Sequence, residues 1–424
     1  MPKHLVWILA ALTVVVVALG GLTAALWLSN RGQTEGALDT ELTDVTVTSV
    51  APPTRPSRPR RPKPTADRRC WREFGGNPQR SLARPAADLG LPARRILWTR
   101  TLDDYMEFPP VYCDGTLYVN TLRGATWAID AETGKVRWRR RIEGQKPSSP
   151  AIDGPRLIVA SKSGTVTALD RATGKTLWEL RTSGGVESSP VVLDGVVYFG
   201  AHNGRLYAVR ARSGRVEWAY DTGGRINASP SVYGRRVCVT NYSGAIFCVR
   251  RDTGARLWST YVRRDAFRYE SFYSSPSTDG RRLFTIARSG RLVALDARTG
   301  RILWTYGVGG WGYATPAVTD ERVFVGGFDG RLRAFRPATG AQVWSTDLDG
   351  RIIGSPVVVG NRVFVTTTSQ RTYALRVGDG KVVWRIRMGK YTPVIATERT
   401  YFFSLNARLL ATRGKDATRA PAAR

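Results

Sequence analysis

The side chains that could do chemistry are few, and their spacing limits what that chemistry is. The 424-residue chain has four cysteines, at 70, 113, 238 and 248, and two histidines, His4 and His202. No two cysteines are adjacent, no haem-attachment motif is present, and no His/Cys cluster has metal-ligand spacing. Polar recognition has better material. Between Trp258 and Trp304 the stretch "YVRRDAFRYESFY" interleaves Arg263, Arg264 and Arg268 with Phe267, Tyr269, Phe272 and Tyr273. Arginine and aromatic residues combine apolar contact with a polar handle, which is the composition of binding hot spots.

The elements that position these residues repeat. Trp98, Trp138, Trp178, Trp218, Trp258, Trp304, Trp344 and Trp384 are 40 residues apart, except for one interval of 46 that contains the arginine–aromatic stretch. Prolines at 110, 150, 190, 230, 276, 316, 356 and 393 keep the same rhythm, four of them as "SSP" or "ATP". Within a unit such as "SPVVLDGVVYFGAHNGRLYAVRARSGRVEW", short apolar runs are cut by Asp-Gly, Asn-Gly and Ser-Gly turns. Four strands in about 40 residues make one blade of a β-propeller. Seven units are complete, three strands follow Trp384, and "ARRILWTR" is left over before the first unit. The expectation is an all-β, eight-bladed propeller of four-stranded blades, with the eighth blade closed by the N-terminal strand.

Six units carry a large residue and, ten positions on, an alanine: Tyr118 and Ala128, Ile158 and Ala168, Tyr198 and Ala208, Phe284 and Ala294, Phe324 and Ala334, Phe364 and Ala374. In the fourth unit both positions are cysteine. A three-residue turn at Tyr242-Ser243-Gly244 would set Cys238 opposite Cys248, so a cross-strand disulfide is expected. By elimination Cys70 pairs with Cys113.

Leu5–Leu28 is an uncharged run of 24 residues, roughly 36 Å as a helix, enough for a bilayer core of about 30 Å. A cleaved signal peptide has an apolar core of only about 7–15 residues. The expected organisation is a cytoplasmic tail at 1–4, a signal-anchor helix at 5–29, and a Pro/Arg-rich disordered stalk at 30–69. The propeller follows at 70–412 and a disordered tail at 413–424. Lys3 before the run, and Glu35, Asp39, Glu41 and Asp44 after it, put the propeller outside a single-pass cell-membrane protein.

Net charge is +30, of which +26 lies from Cys70 onward. Such a field attracts wall polymers or anionic lipid headgroups, or it reflects arginine-rich composition alone. Nucleic acid is not an expected partner on the outer side of a membrane. Lys135, Lys175, Arg215, Arg301 and Lys381 each follow the glycine of the third turn and should ring one face.

The repeated "Ala-x-Asp-x-x-Thr-Gly-Lys-x-x-Trp" resembles the tryptophan-docking motif of the pyrroloquinoline quinone (PQQ) repeat superfamily, and "CWREFGGNPQRSL" resembles its lead-in. The resemblance covers about residues 70–412 and implies that all eight tryptophans, Trp98 to Trp384, are structural docking residues. One branch consists of dehydrogenases that hold PQQ between a tryptophan and a disulfide of adjacent cysteines, with Ca²⁺ on acidic and amide side chains. The other, typified by the propeller subunit of the outer-membrane barrel-assembly machinery, binds protein partners without a cofactor. The missing cysteine pair favours the second branch, although a hydrophobic anchor stands here in place of that subunit's lipid. The expected function is therefore a membrane-anchored, non-catalytic protein-binding scaffold of the cell envelope, with no cofactor and no catalytic residue. A polyanion-binding module is the alternative, and a PQQ-dependent dehydrogenase is a more distant one. The blade-to-blade loops, before each repeated proline, deliver Tyr105, Glu107, Glu187, Arg225, Asn227, Trp311, Tyr313, Arg351 and Lys390 to the channel mouth. Partner binding is expected there, at Arg263, Arg264, Phe267, Arg268, Tyr269, Trp311, Tyr313 and Arg351.

Overall fold

The computed structural model describes residues 46–49, 70–84, 89–389, 391 and 394–415. The expected tail at 1–4, the anchor helix at 5–29, the stalk at 30–69 apart from Thr46–Ser49, Lys390, and the chain beyond 415 lie outside the described residues.

Eight antiparallel sheets of four strands form the blades, two of them extended by a fifth strand. Blade 3 is typical, with strands Val191–Leu193, Val196–Gly200, Arg205–Arg210 and Val216–Asp221. Glycines at positive φ make the turns, Gly195 at 75°, Gly204 at 83° and Gly214 at 74°. Because the strands alternate in direction, second turns and blade-to-blade loops share one face, and first and third turns share the other. Blade 8 joins Ile395–Ala396, Thr400–Leu405 and Arg408–Gly414 to the N-terminal strand Pro92–Thr101, with Trp98 opposite Ala411. Its third strand continues to Gly414, two residues past the expected end of the propeller.

Seven of the eight motif tryptophans join neighbouring blades in the same way. Trp178 in blade 2 donates its indole N–H to the Ala211 carbonyl of blade 3 at 2.9 Å. A Cβ placed on Gly214 would lie 2.8 Å from that ring, so only glycine fits the turn. Trp98, Trp138 and Trp218 donate likewise to the carbonyls of Ala131, Arg171 and Arg251 in the next blade, each at 3.0 Å. Trp258, Trp304 and Trp344 reach those of Ala297, Pro337 and Val377, at 3.3, 3.0 and 2.9 Å. Under the rings of Trp138, Trp218 and Trp344 lie the turn glycines Gly174, Gly254 and Gly380. Burial differs along the series. Trp178 is 2% exposed and Trp218, Trp258 and Trp344 are 8% exposed, while Trp98, Trp138 and Trp304 are half-buried.

Trp384 is the eighth tryptophan of the series. The turn that would lie beneath it follows Lys415, outside the described residues. The Trp384 ring stacks on Phe403, ring centroids 5.7 Å apart. The motif aspartate closes the docking turn from within. In blade 1, Asp130 accepts from the backbone N–H and the hydroxyl of Thr133, both at 2.8 Å. With Arg137 also bonded to it, its carboxyl is held down at about 2.

The serine that precedes five of the eight repeated prolines is a second link between blades. The Ser149 N–H donates to Ser189 Oγ at 3.1 Å, Ser189 N–H to Ser229 Oγ at 2.9 Å, and Ser229 N–H to Ser275 Oγ at 2.9 Å. Both disulfides are present. Cys238 lies directly opposite Cys248, as its large–small counterparts do in the other six units. Asn241 N–H bonds the Ala245 carbonyl at 3.0 Å across Tyr242–Gly244, and Gly244 has φ 83°. The other disulfide joins Cys70 to Cys113.

The lead-in does more than precede the propeller. Trp71 exchanges two backbone bonds with Tyr112 in blade 1, at 2.7 and 2.8 Å. Next, Arg72 O accepts from Ile152 in blade 2 and the Glu73 carboxylate from Val192 in blade 3, at 2.8 and 3.0 Å. The carbonyls of Pro78, Gln79, Ser81 and Leu82 accept from Val232, Thr278, Val318 and Val358 in blades 4 to 7, between 2.7 and 3.1 Å. Arg84 reaches the Ala396 carbonyl of blade 8 at 2.6 Å. One segment thus bonds all eight blades in chain order and closes the axis.

At its centre Arg80 is 0% exposed, at φ 56°, where a non-glycine residue is uncommon. Its guanidinium donates to the carbonyls of Phe74, Ser189, Pro190 and Pro230 at 2.5, 2.6, 3.1 and 2.9 Å. Burial brings its pKa down to about 10, against the opposing charge of Glu73. Burial also pushes the Glu73 carboxyl up to about 7, opposed by Arg80, the Val192 N–H and Arg72.

Candidate functional site

With its floor closed by Phe74, the axis becomes a blind cavity of about 360 Å³ opening on the face of the blade-to-blade loops. Those loops contribute Glu107, Phe108, Asn227, Tyr273, Tyr313 and Tyr391 to the wall, and the pre-proline hydroxyls Ser229, Ser275, Thr315 and Ser355 line it below. A wider depression of about 690 Å³ adjoins it between blades 5 and 7, lined by Trp311, Tyr313, Phe328, Asp329 and Arg351. Tyr313 and Phe328 are shared by both.

Along this rim arginines and rings alternate. Arg225 and Arg288 each lie 5.7 Å from the Tyr242 ring, and Arg288 is also 5.1 Å from Trp311. Trp311 is 6.2 Å from Tyr313, Tyr313 is 6.2 Å from Phe328, and Arg351 covers Phe328 at 5.4 Å. Each cation–ring contact is worth roughly 0.5–1 kcal/mol at an exposed site, so the arc is partly preorganised. Trp311 remains 54% exposed. The structure therefore brings Trp311, Tyr313 and Arg351 together, as the loop reading expects.

Beside the arc, and sharing Arg225 with it, lies a charged cluster. The Glu187 carboxylate, 6% exposed, meets Lys162 at 2.9 Å, Arg225 at 3.5 Å and His202 at 3.6 Å. Asn227 donates to it at 2.5 Å and Tyr273 at 3.2 Å. Burial alone would raise the Glu187 carboxyl, but Lys162, Asn227 and His202 outweigh it and hold the group below its ordinary value. Burial lowers His202, helped by Arg225 and Lys162 and opposed by Glu187. Glu107 is pushed up by burial and by Glu187 against the pull of Lys162. Lys162 and His202 come from second turns. No spacing rule links them to Glu187; their only common signal is the second turn's place on the loop face.

Arg263, Arg264, Phe267, Arg268 and Tyr269 stand apart on a small hairpin, all exposed. The same insertion sends Phe272 inward, to 0% exposure, and buries Glu270, which accepts from Ser289 at 2.7 Å. Lys135, Lys175, Arg215, Arg301 and Lys381 are exposed on the opposite face. Aspartates 130, 170, 296 and 379 share turns with four of these five cations, which dilutes the positive field there.

The residues do not fit PQQ. Cys70–Cys113 is buried beneath the lead-in and Cys238–Cys248 inside blade 4, so neither faces the axial cavity, and no tryptophan is among the cavity's lining residues. The acid–amide pair Glu187 and Asn227 is surrounded by cations where a Ca²⁺ would need further oxygens. Among the described residues the metal-ligand grouping is Cys70, Cys113 and Asp114, whose two sulfurs are joined in the disulfide.

Solved structures with the same architecture come from both branches. BamB from Moraxella catarrhalis is 19% identical with a TM-score of 0.65, over 75% of this chain and 99% of that one. A quinohemoprotein alcohol dehydrogenase from Comamonas testosteroni is 15% identical with a TM-score of 0.67, over 84% and 82%. A europium-containing methanol dehydrogenase gives 14% and 0.67, over 80% and 91%. No curated protein matches the chain. The family model described as outer membrane protein assembly factor BamB matches residues 86–267 and 251–418, most of the propeller. With its PQQ-like repeats and eight blades, the chain belongs to that family.

Proposed function

We propose that this protein is a non-catalytic protein-binding scaffold of the cell envelope, held at the membrane by residues 5–29 with the propeller on the extracytoplasmic side. Its partner docks on the face of the blade-to-blade loops, on the arc formed by Arg225, Tyr242, Arg288, Trp311, Tyr313, Phe328 and Arg351. That arc carries the reading. It is a continuous series of exposed and half-buried arginines and rings on rigid strand ends, with a cavity beside it for an anchoring side chain. The matched family and the BamB neighbour support it, and the misfit to PQQ argues against the dehydrogenase branch. Binding of an anionic polymer on the opposite face is the weaker reading, because carboxylates are interleaved among the cations there.

The test is a photo-crosslinking residue at Trp311 or, as control, at Arg301 in the full chain in native membranes. The proposal expects one defined protein adduct from 311, lost in Arg351→Ala and insensitive to salt. Adducts from 301 alone, salt-sensitive capture of an anionic polymer, or PQQ-dependent dye reduction by the purified chain would each overturn it.

A further inference from the structure

The hairpin at Arg263–Tyr269 has a shape and composition that the partner arc does not need. Phe267 at its tip is 95% exposed, and Tyr261 and Tyr269 at its base are each 50% exposed. The tip is rigidly built. Asp265 accepts from the backbone N–H groups of Phe267 and Arg268 at 3.0 and 2.9 Å, and from Arg268 Nε at 3.1 Å. The Arg264 N–H bonds the Arg268 carbonyl at 2.9 Å, Arg263 lies 5.7 Å from the Tyr269 ring, and Arg291 fixes the Arg263 carbonyl at 2.7 Å.

Phe267, Tyr261 and Tyr269 are exposed together on one projecting hairpin that also carries Arg263, Arg264 and Arg268, the aromatic and cationic composition of an interfacial anchor. We propose that this hairpin is a membrane-contact finger, seating Phe267 at the acyl boundary of an anionic leaflet. Arg263, Arg264 and Arg268 then meet lipid phosphates, and Tyr261 and Tyr269 lie at headgroup level. Three observations favour a lipid surface. The order of groups along the finger, apolar tip, then guanidiniums and phenols, follows the polarity of a leaflet with depth. A single projecting ring lacks the roughly 800 Å² per side of a stable protein interface, whereas a bilayer needs only a point of entry. Finally, Thr46–Ser49 pairs antiparallel with the outer strand of blade 2, Thr46 opposite Arg181. Arg181 leads into a blade-to-blade loop, so Thr46 lies at the end of blade 2 that belongs to the face carrying the finger. The inference is independent of the protein-partner reading.

The described cysteines are all disulfide-bonded, so Phe267→Cys introduces one labelling site. The full chain, labelled there with a polarity-sensitive fluorophore, is incorporated into phosphatidylcholine vesicles with or without phosphatidylglycerol. Arg301→Cys serves as the control on the opposite face. A blue shift at 267, quenched by brominated acyl chains and dependent on phosphatidylglycerol, is expected, with the label at 301 remaining in water. The phosphatidylglycerol content at which the label at 267 is half buried in the full chain is the second measurement. Replacing all three arginines with alanine should weaken burial of the label roughly a hundredfold and so raise that content. The proposal is overturned if the label at 267 stays in water with both lipids, if 267 and 301 shift equally, or if 267 is covered only when a protein is added.

Discussion

Replacing Arg80 with methionine removes the guanidinium at the centre of the axial plug while keeping much of its apolar length. Four backbone carbonyls, those of Phe74, Ser189, Pro190 and Pro230, lose their donor in a site with no water access. Leaving one buried acceptor unpaired costs about 1–3 kcal/mol. Against this, methionine avoids the desolvation of a buried cation, and Glu73, already raised to about 7, can accept a proton rather than stay charged alone. The net expectation is about 3–5 kcal/mol, the usual result of breaking a buried charged set from one side. At about 2 °C per kcal/mol for a chain of this size, the melting temperature should fall by roughly 6–10 °C. Arg80→Lys should recover only a minor part, since an ammonium cannot spread over four acceptors as the planar fork does. Thermal unfolding of the detergent-solubilised full chain, followed by circular dichroism, is the assay, with Arg264→Met as an exposed comparison expected to change stability by less than about 0.5 kcal/mol. If Arg80→Met melts within about 1 kcal/mol of the parent, and Cys70–Cys113 is reduced no faster, the lead-in does not hold the blades together as argued.

Gly214→Ala should cost about 2–4 kcal/mol, from positive φ plus displacement of the Trp178 ring, whereas Gly195→Ala, at φ 75° with open space around it, should cost about 1 kcal/mol. Equal melting shifts for the two would refute the docking account. Replacing Cys238 and Cys248 together with alanine should lose about 3 kcal/mol of stability, from a closed loop of ten residues, read by denaturant unfolding. For Glu73, the folded value of about 7 lies above the ordinary carboxyl value of 4.5. Its contribution is therefore fully present below 4.5 and lost as pH rises through about 7. The melting temperature should fall between about pH 5 and pH 8, and Glu73→Gln should flatten that slope; an unchanged slope would contradict it.

The blades are legible in the sequence because their constraints are local and repeated. Each docking turn and the tryptophan above it are required by the same geometry from Trp98 to Trp344. Trp384 keeps the spacing, and the turn that would lie beneath it falls outside the described residues. The register that pairs Cys238 with Cys248 follows from six alanines at a fixed offset. The lead-in is read only as a flanking segment, because its partners lie far away: the bonds of Arg80 to Ser189 and Pro230 span 109 and 150 residues. Nothing periodic marks Glu73 or Arg80 as buried. The pre-proline serines are visible as a repeat, but the link they make runs between units, and a single unit does not display it. At the site, the loop rule locates Trp311, Tyr313 and Arg351. It does not indicate that Glu187 gathers Lys162 and His202 from second turns, or that the insertion divides into an outward tip and an inward Phe272.

The lead-in and the closing strand set the order in which the molecule can be completed as it is synthesised. Cys70 and Cys113 are only 43 residues apart, so they can join once blade 1 has emerged, fixing the lead-in to the first blade while the rest is unmade. Each later blade then finds its bonding group already waiting, in chain order. The strand Pro92–Thr101 has the opposite fate. Its partner Arg408–Gly414 is the last to appear, and Thr412 bonds the Ala93 carbonyl across 319 residues. Until then that strand is an open edge of the kind that recruits other chains. A nascent chain that stalls before Ile395 would carry seven blades threaded on a finished hub and one unclosed seam. Loss of residues 395–414 should therefore lead to aggregation of the newly made chain rather than to a slightly smaller ring.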